Sequence, residues 1–236
     1  MNGCGCLPEE TIIDVVKWRE RKRAFWDRLW EDLEIGYLDE DLLPLLVLLN
    51  MDANIYTMSS CSGRIVLSDS SFPWSREESS IVFKRHEPIK PTDIRSILEK
   101  PVTRRLWLNV TGPIIHLSTN SLNYAMEILK YARNAGYKHS GILSMSPEKG
   151  IVIELTTGIW FSQLLRTREA FITARESLDE LVEVANTILI KGKELLRRLF
   201  NTVRDRSYVM DEEIKEDLEK RGLDLDMLFK KYIDIP

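Results

Sequence analysis

The chain has 236 residues, of which 44% are hydrophobic and 30% charged, with a formal net charge of −4 and three cysteines. That supports one sizeable core, and it excludes both a disulfide framework and a protein that meets nucleic acid through bulk positive charge. The apolar stretch from Leu42 to Leu49 is too short to span a bilayer and is interrupted by Pro44. The opening residues lack the charged and apolar regions of a secretory signal, so a cytoplasmic location with no membrane partner is expected.

Charge is unevenly spread. Residues 1–63 hold 6 Lys+Arg against 12 Asp+Glu, residues 64–206 hold 22 against 16, and residues 207–236 hold 5 against 9. A basic middle between acidic ends permits a local phosphate-binding face. The high charged fraction and a single glutamine, Gln163, are features of thermophilic proteins. Cys4 and Cys6 have no nearby cysteine or histidine to complete a metal set, so no metal is expected.

Thr11 to about Leu33 reads as an amphipathic helix, with Val15, Trp18, Phe25, Trp26, Leu29, Trp30 and Leu33 at helical spacing. Asp39 is placed to cap a second helix that tolerates Pro44 near its start and ends near Asn50. Short strands follow at Ile55–Met58, Arg64–Ser68, Ile81–Arg85, Leu106–Thr111 and Ile114–Ser118. A helix at Pro91–Glu99 separates the third from the fourth. Between Asp69 and Ser80 lies a serine-rich loop containing Phe72 and Trp74.

Asn120 or Ser121 can cap a helix that ends at Gly136. Strands at Gly141–Met145 and Ile151–Thr157 are joined by a hairpin-like connection. Thr173 and Glu176 form a capping box for a long helix with a nearly uninterrupted stripe from Leu178 to Val203. The segment after Asp211 is charged and helical in pattern. This order predicts an α+β fold with a mixed or mostly antiparallel sheet, and strand–strand–helix groups on either side of residue 118 allow two repeated halves. We expect a single α+β catalytic domain over 1–210 and a charged helical extension over 211–236. No glycine-rich loop of the dinucleotide-binding kind follows any strand.

The run Ser59-Ser60-Cys61-Ser62-Gly63-Arg64-Ile65 is the stretch richest in chemistry. Gly63 permits a positive φ and a sharp return of the chain toward Val66 and Leu67. Such a turn gathers hydroxyls, backbone amides and the Arg64 guanidinium, which suits an anion or polar ligand. Packing does not explain it, since small hydroxyl residues bury little apolar area; a tight hairpin needing small residues is the competing account. His86 and His116 each read either as a hydrogen-bonded core residue or as a proton acceptor. His139 reads as surface.

The same run resembles the hallmark of the tRNA wybutosine-synthesising protein 3 family, in its archaeal branch. The resemblance continues in order through Arg21-Lys22, Asp39, Asn50, Phe83-Lys84-Arg85-His86, Pro113-Ile114-Ile115-His116-Leu117, Ser140-Gly141-Ile142, Val152-Ile153-Glu154-Leu155 and Ala185-Asn186. Two stretches depart from the family pattern: Asp32 to Asp39 lacks the lysine and serine of eukaryotic relatives, and Phe72 to Ser80 replaces a glycine-rich lysine segment.

The resemblance implies a fold other than the Rossmann-type methyltransferase sheet. It also implies S-adenosylmethionine-dependent methylation of the N-4 ring nitrogen of 7-aminocarboxypropyl-demethylwyosine, next to the anticodon of phenylalanine tRNA. Ser59, Ser60, Cys61, Ser62, Gly63, Arg64 and Asp39 are then the expected donor-binding residues, with Ser60, His86 and His116 at the reacting centre. Methyl transfer from a sulfonium needs no protein nucleophile, so the hallmark side chains are read as positioning groups.

Phosphate contacts are expected among Arg19 to Arg23, Lys84, Arg85, Arg104, Arg105, Arg166 and Arg168, with Trp74 or Trp107 available to stack on a base. A different reading of the hallmark turn is an anion nest in a non-catalytic RNA- or nucleotide-binding module.

Overall fold

The computed structural model describes residues 13–75 and 77–233, which leaves Cys4 and Cys6 outside the described part. Helix α1 (Val15–Glu34) starts where the Asp14 carboxylate accepts from the backbone N–H groups of Val16 and Lys17 at 3.2 Å. Trp18, Trp26 and Leu29 form its buried stripe. A 3₁₀ turn (Glu40–Leu42) leads into α2 (Leu43–Asn50), buried on every side. The short apolar run is thus a core helix.

The strands are β1 (Ile55–Cys61), β2 (Arg64–Asp69), β3 (Ser80–Arg85), β4 (Arg105–Thr111), β5 (Ile114–Thr119), β6 (Gly141–Ser146), β7 (Gly150–Thr156) and β8 (Trp160–Thr167). Helices α3 (Pro91–Leu98) and α4 (Leu122–Ala135) interrupt them, and α5 (Leu178–Arg204) follows. Two four-stranded sheets result, ordered β1-β5-β7-β6 and β3-β2-β4-β8, with antiparallel pairing throughout. The α+β, non-Rossmann expectation is met. In the first sheet the helix precedes its hairpin (α4, then β6–β7), whereas in the second the hairpin precedes its helix (β2–β3, then α3).

Gly63 does not close a hairpin. β1 pairs with β5 from Ile55↔Thr119 to Cys61↔Ile114, and β2 pairs with β4 from Arg64↔Thr111 to Asp69↔Leu106. Segments 55–69 and 105–119 therefore run side by side as one ribbon that bends out of the first sheet into the second. Segment 150–167 flanks the same ribbon through β7 and β8. At the bend Gly63 takes φ +96°, and a Cβ there would sit 2.8 Å from the Thr111 carbonyl oxygen. A positive φ was foreseen; what it serves is a passage between sheets. β8 was not foreseen, because polar Gln163 occupies the inward position between its core residues Phe161 and Leu165, so no apolar alternation marks the strand.

Helix α5, about 40 Å long at 1.5 Å per residue, crosses both sheets. Leu178, Val182, Ala185 and Leu189 pack on the second sheet, and Leu195, Leu196, Leu199, Phe200 and Val203 on the first. Between them Gly192 meets the bend, where an added Cβ would lie 3.1 Å from Pro113 Cδ. The expected capping box at its start is absent. A 3₁₀ turn (Arg175–Ser177) precedes α5, and Thr173 instead donates to the Leu164 carbonyl at 2.9 Å, tying it to β8.

The charged tail forms α6 (Glu212–Lys220) and α7 (Leu225–Ile233), which insert Ile214, Leu218, Leu228 and Tyr232 into the core of the first sheet. A buried ionic cluster ties the tail down: Lys22 pairs with Asp211 at 2.8 Å and Arg206 with Asp52 at 2.6 Å. Burial lowers the pKa of Lys22, with Asp211 and Asp52 opposing that fall. Among the described residues no helix is long and apolar enough to cross a membrane.

Candidate active site

The bend between β1 and β2 gathers side chains from four distant segments. Asp39 does not cap its helical turn with its side chain. Its Oδ2 accepts instead from the Ser62 backbone N–H at 2.8 Å and from His86 Nδ1 at 3.1 Å. The same Nδ1 lies 3.1 Å from the Gly63 carbonyl oxygen. His86 reaches this point because β3 ends at Arg85, one residue earlier.

The hydrogen bond to Asp39, followed by one to Cys61, raises the His86 pKa from 6.5 to about 9, with burial opposing. For Asp39, burial disfavours ionisation, but the His86 and Ser62 hydrogen bonds outweigh it and hold its carboxyl below the usual range. The imidazole is therefore charged at neutral pH and acts as a donor. Asp39, Cys61 and His86 present ligand atoms within 4.8 Å of one another, a spacing that could hold a metal ion. His86 Nδ1 faces both the Gly63 carbonyl and the Asp39 carboxylate, so hydrogen bonds also join these groups.

From the opposite side, Lys193 follows Gly192 on α5. Its ammonium donates to Ser62 Oγ at 2.6 Å and to Asp41 Oδ2. Ser62 is fully buried. Tyr232 of α7 donates its hydroxyl to the Asp41 carbonyl. These groups border a cleft of about 1000 Å³ whose lining combines Asp39, Asp41 and Glu87 with Lys193, Arg197 and Lys230, over apolar walls from Leu33, Leu38, Ile190 and Leu196. Lys193, Asp41 and Tyr232 were missed from sequence. The one available signal was Gly192-Lys193, which interrupts the apolar stripe of α5.

The hydroxyl cluster is not gathered at one point. A bulge in β1 pairs Thr57 with Leu117 and Ser60 with Ile115, leaving Met58 and Ser59 opposite His116. Ser59 and Ser60 line a second cleft of about 420 Å³ with Arg28, Asp32 and Tyr37, while Asp39, bonded to Ser62, lines the large one. Leu38 borders both. His116 sits away from His86, with Nδ1 3.0 Å from the Ser59 carbonyl oxygen and Nε2 3.0 Å from Glu154 Oε2. Both its ring nitrogens thus face acceptors. Arg64 stands opposite Thr111 in the second sheet, and its side chain makes no hydrogen bond or ion pair among the described residues. His139 is exposed, as expected.

A family model described as Methyltransferase TYW3 matches residues 20–205. The chain belongs to this methyltransferase family. A relative from Saccharolobus solfataricus is 42% identical over 183 residues, covering 77% of this chain and 87% of its own. One from Aeropyrum pernix is 37% identical over 165 residues, covering 70% and 87%. Both are named tRNA(Phe) 7-((3-amino-3-carboxypropyl)-4-demethylwyosine(37)-N(4))-methyltransferases.

The solved PH1069 protein from Pyrococcus horikoshii superposes with a TM-score of 0.76 at 27% identity, covering 83% of this chain and 98% of that one. A hypothetical protein from Aeropyrum pernix gives 0.64 at 34% identity, covering 71% and 98%. The TYW3 match ends at Asp205, so α6 and α7 lie beyond it; α7 nevertheless supplies Lys230 and Tyr232 to the large cleft.

Proposed function

We propose that this chain transfers a methyl group from S-adenosylmethionine to the N4 ring nitrogen of 7-aminocarboxypropyl-demethylwyosine at position 37 of phenylalanine tRNA. The reading rests on one observation above others: Asp39, His86 and Lys193, which bond to the bend of the family hallmark, line a cleft with both signs of charge fixed in place. The donor and the acceptor's side chain each carry an ammonium and a carboxylate, and such groups need paired, oriented counter-charges. A volume of about 1000 Å³ is at the upper end of small-molecule sites.

S-adenosylmethionine, when bound, supplies a methyl group already activated on a sulfonium. Asp39, Asp41 and Lys193 would then be the groups that hold it, with the buried Ser62 fixing Asp39 and Lys193 from behind. Positioning is the main catalytic contribution of these residues. Asp39 is held ionised and His86 is held protonated, so neither is poised to take the acceptor's proton at neutral pH. His86 instead donates, and it locks the loop of Gly63 and the Asp39 carboxylate in one geometry. Ser59, Ser60 and Arg28 line the adjoining cleft, which shares Leu38 with the large one, and the tricyclic base would approach the donor from that side. A tRNA substrate agrees with the cytoplasmic location expected from the sequence.

The test is incubation of undermodified phenylalanine tRNA with the protein and methyl-labelled donor. Label is expected in the tricyclic base. In parallel, calorimetry should show saturable donor binding that Lys193→Ala weakens. Donor binding with no label transferred, or no donor binding even with tRNA present, would defeat the assignment.

A further inference from the structure

The strands of the two sheets differ sharply in charge. Those of the second sheet carry five Lys or Arg residues and one acid, Asp69, while those of the first carry no Lys or Arg and one acid, Glu154. Asp69 is buried and spent on the backbone N–H groups of Thr103 and Arg104. One face of the second sheet packs on α3 and α5 through Ile65, Leu67, Leu106, Leu108 and Val110. Side chains alternate across a strand, so Arg64, Lys84, Trp107 and Trp160 lie on the other face, one each on β2, β3, β4 and β8.

Aromatic surface accompanies the charge. Trp160 is 57% exposed. On the loop after β2, Phe72 and Trp74 stack with ring centroids 5.1 Å apart and planes 7° apart, and they are 47% and 69% exposed. Arg105 braces them, with its guanidinium 5.4 Å from the Phe72 ring and Nη1 donating to the Ser71 carbonyl. Exposed rings beside unopposed cations match a single-stranded polyanion whose bases are free to stack. The face also runs into the site, because Arg64 directly follows Gly63.

We infer that this face of the second sheet, turned away from α5, is where the anticodon loop of the substrate RNA docks, with Arg64 and Lys84 on phosphates and Trp160 and Trp74 under bases. The inference rests on the tRNA reading above and says which surface serves it. It also sorts the expected phosphate contacts. Lys22 is buried in an ion pair, Arg23 pairs with Glu213, Arg104 with Glu78, and Arg166 is spent on the carbonyls of Leu98 and Lys100.

Fluorescence anisotropy with a labelled anticodon-arm oligonucleotide tests it on the full chain. Trp160→Ala and Trp74→Ala should each weaken binding about tenfold, and Lys84→Ala should lower the slope of log affinity against log salt by about 0.7 to 0.9. Donor affinity by calorimetry should stay within about twofold, and Lys130→Glu, on exposed α4, should bind RNA as wild type does. Unchanged RNA affinity in the three sheet variants, or a loss confined to Lys130→Glu, would overturn the inference. So would a concentration-dependent dimer that Trp160→Ala abolishes, since the face would then belong to a second copy. Methyl transfer by the wild type is scored separately, so its failure would count against the function while the affinities still decide the surface.

Discussion

Asp39→Asn is the sharpest probe of the site. The carboxylate accepts from Ser62 and from His86, and the asparagine keeps the shape and one acceptor while removing the charge. Moving an imidazole from 6.5 to about 9 corresponds to ~3 kcal/mol at most. Both groups retain some solvent contact, with side chains 19% and 13% exposed, and screening reduces this to about 1–2 kcal/mol.

The folded-state pKa is raised, so the stabilisation is complete below pH 6.5 and is lost as pH rises through about 9. The chain has only three histidines, so ring resonances can be followed individually by heteronuclear NMR, with His86 assigned from a His86→Asn sample. The wild-type ring should titrate near 9, and in the Asp39→Asn protein its midpoint should fall toward 6.5. Urea unfolding should then show the two proteins differing most near about pH 6 and converging by about pH 10. A wild-type His86 titrating near 6.5, or a stability difference flat across that range, would refute the pairing.

Gly63→Ala places a Cβ at φ +96° and 2.8 Å from the Thr111 carbonyl oxygen, and should cost about 2–3 kcal/mol. Gly222→Ala, at φ +63° with open space around it, should cost only about 1 kcal/mol; comparable melting temperatures for the two would show that the bend does not require glycine. Deleting residues 223–236 removes the buried Leu228 and Tyr232 and one wall of the large cleft. Thermal unfolding should report a loss of several kcal/mol, on the order of 2–3 kcal/mol per buried side chain, and calorimetry should report weaker donor binding. Unchanged values in both assays would mean that α7 does not close the site.

Helices α1, α4 and α5 were legible because a 3.6-residue apolar period reports a buried face directly, and the caps at Ser121 and Gly136 mark the ends of α4. The hallmark was legible as an unusual turn, since its small hydroxyl residues bury little apolar area and its glycine permits the positive φ that Gly63 adopts. β8 was not legible, because polar Gln163 faces inward between Phe161 and Leu165 and breaks the apolar alternation that marks a strand. The division of the hallmark between two clefts was also hidden, since the bulge at Met58 and Ser59 depends on β5 as a partner.

By itself, then, the amino-acid order determined the elements other than β8, the α+β class and the place where the backbone must bend. Only the tertiary structure decided that the bend joins two sheets, that Lys193 meets Ser62 across 131 residues, and that His86 and His116 serve different surfaces. Periodicity shows that a face is buried without showing what buries it. The partner is chosen when α5 lies across both sheets, and that choice depends on Gly192 letting the helix approach the ribbon at Gly112 and Pro113.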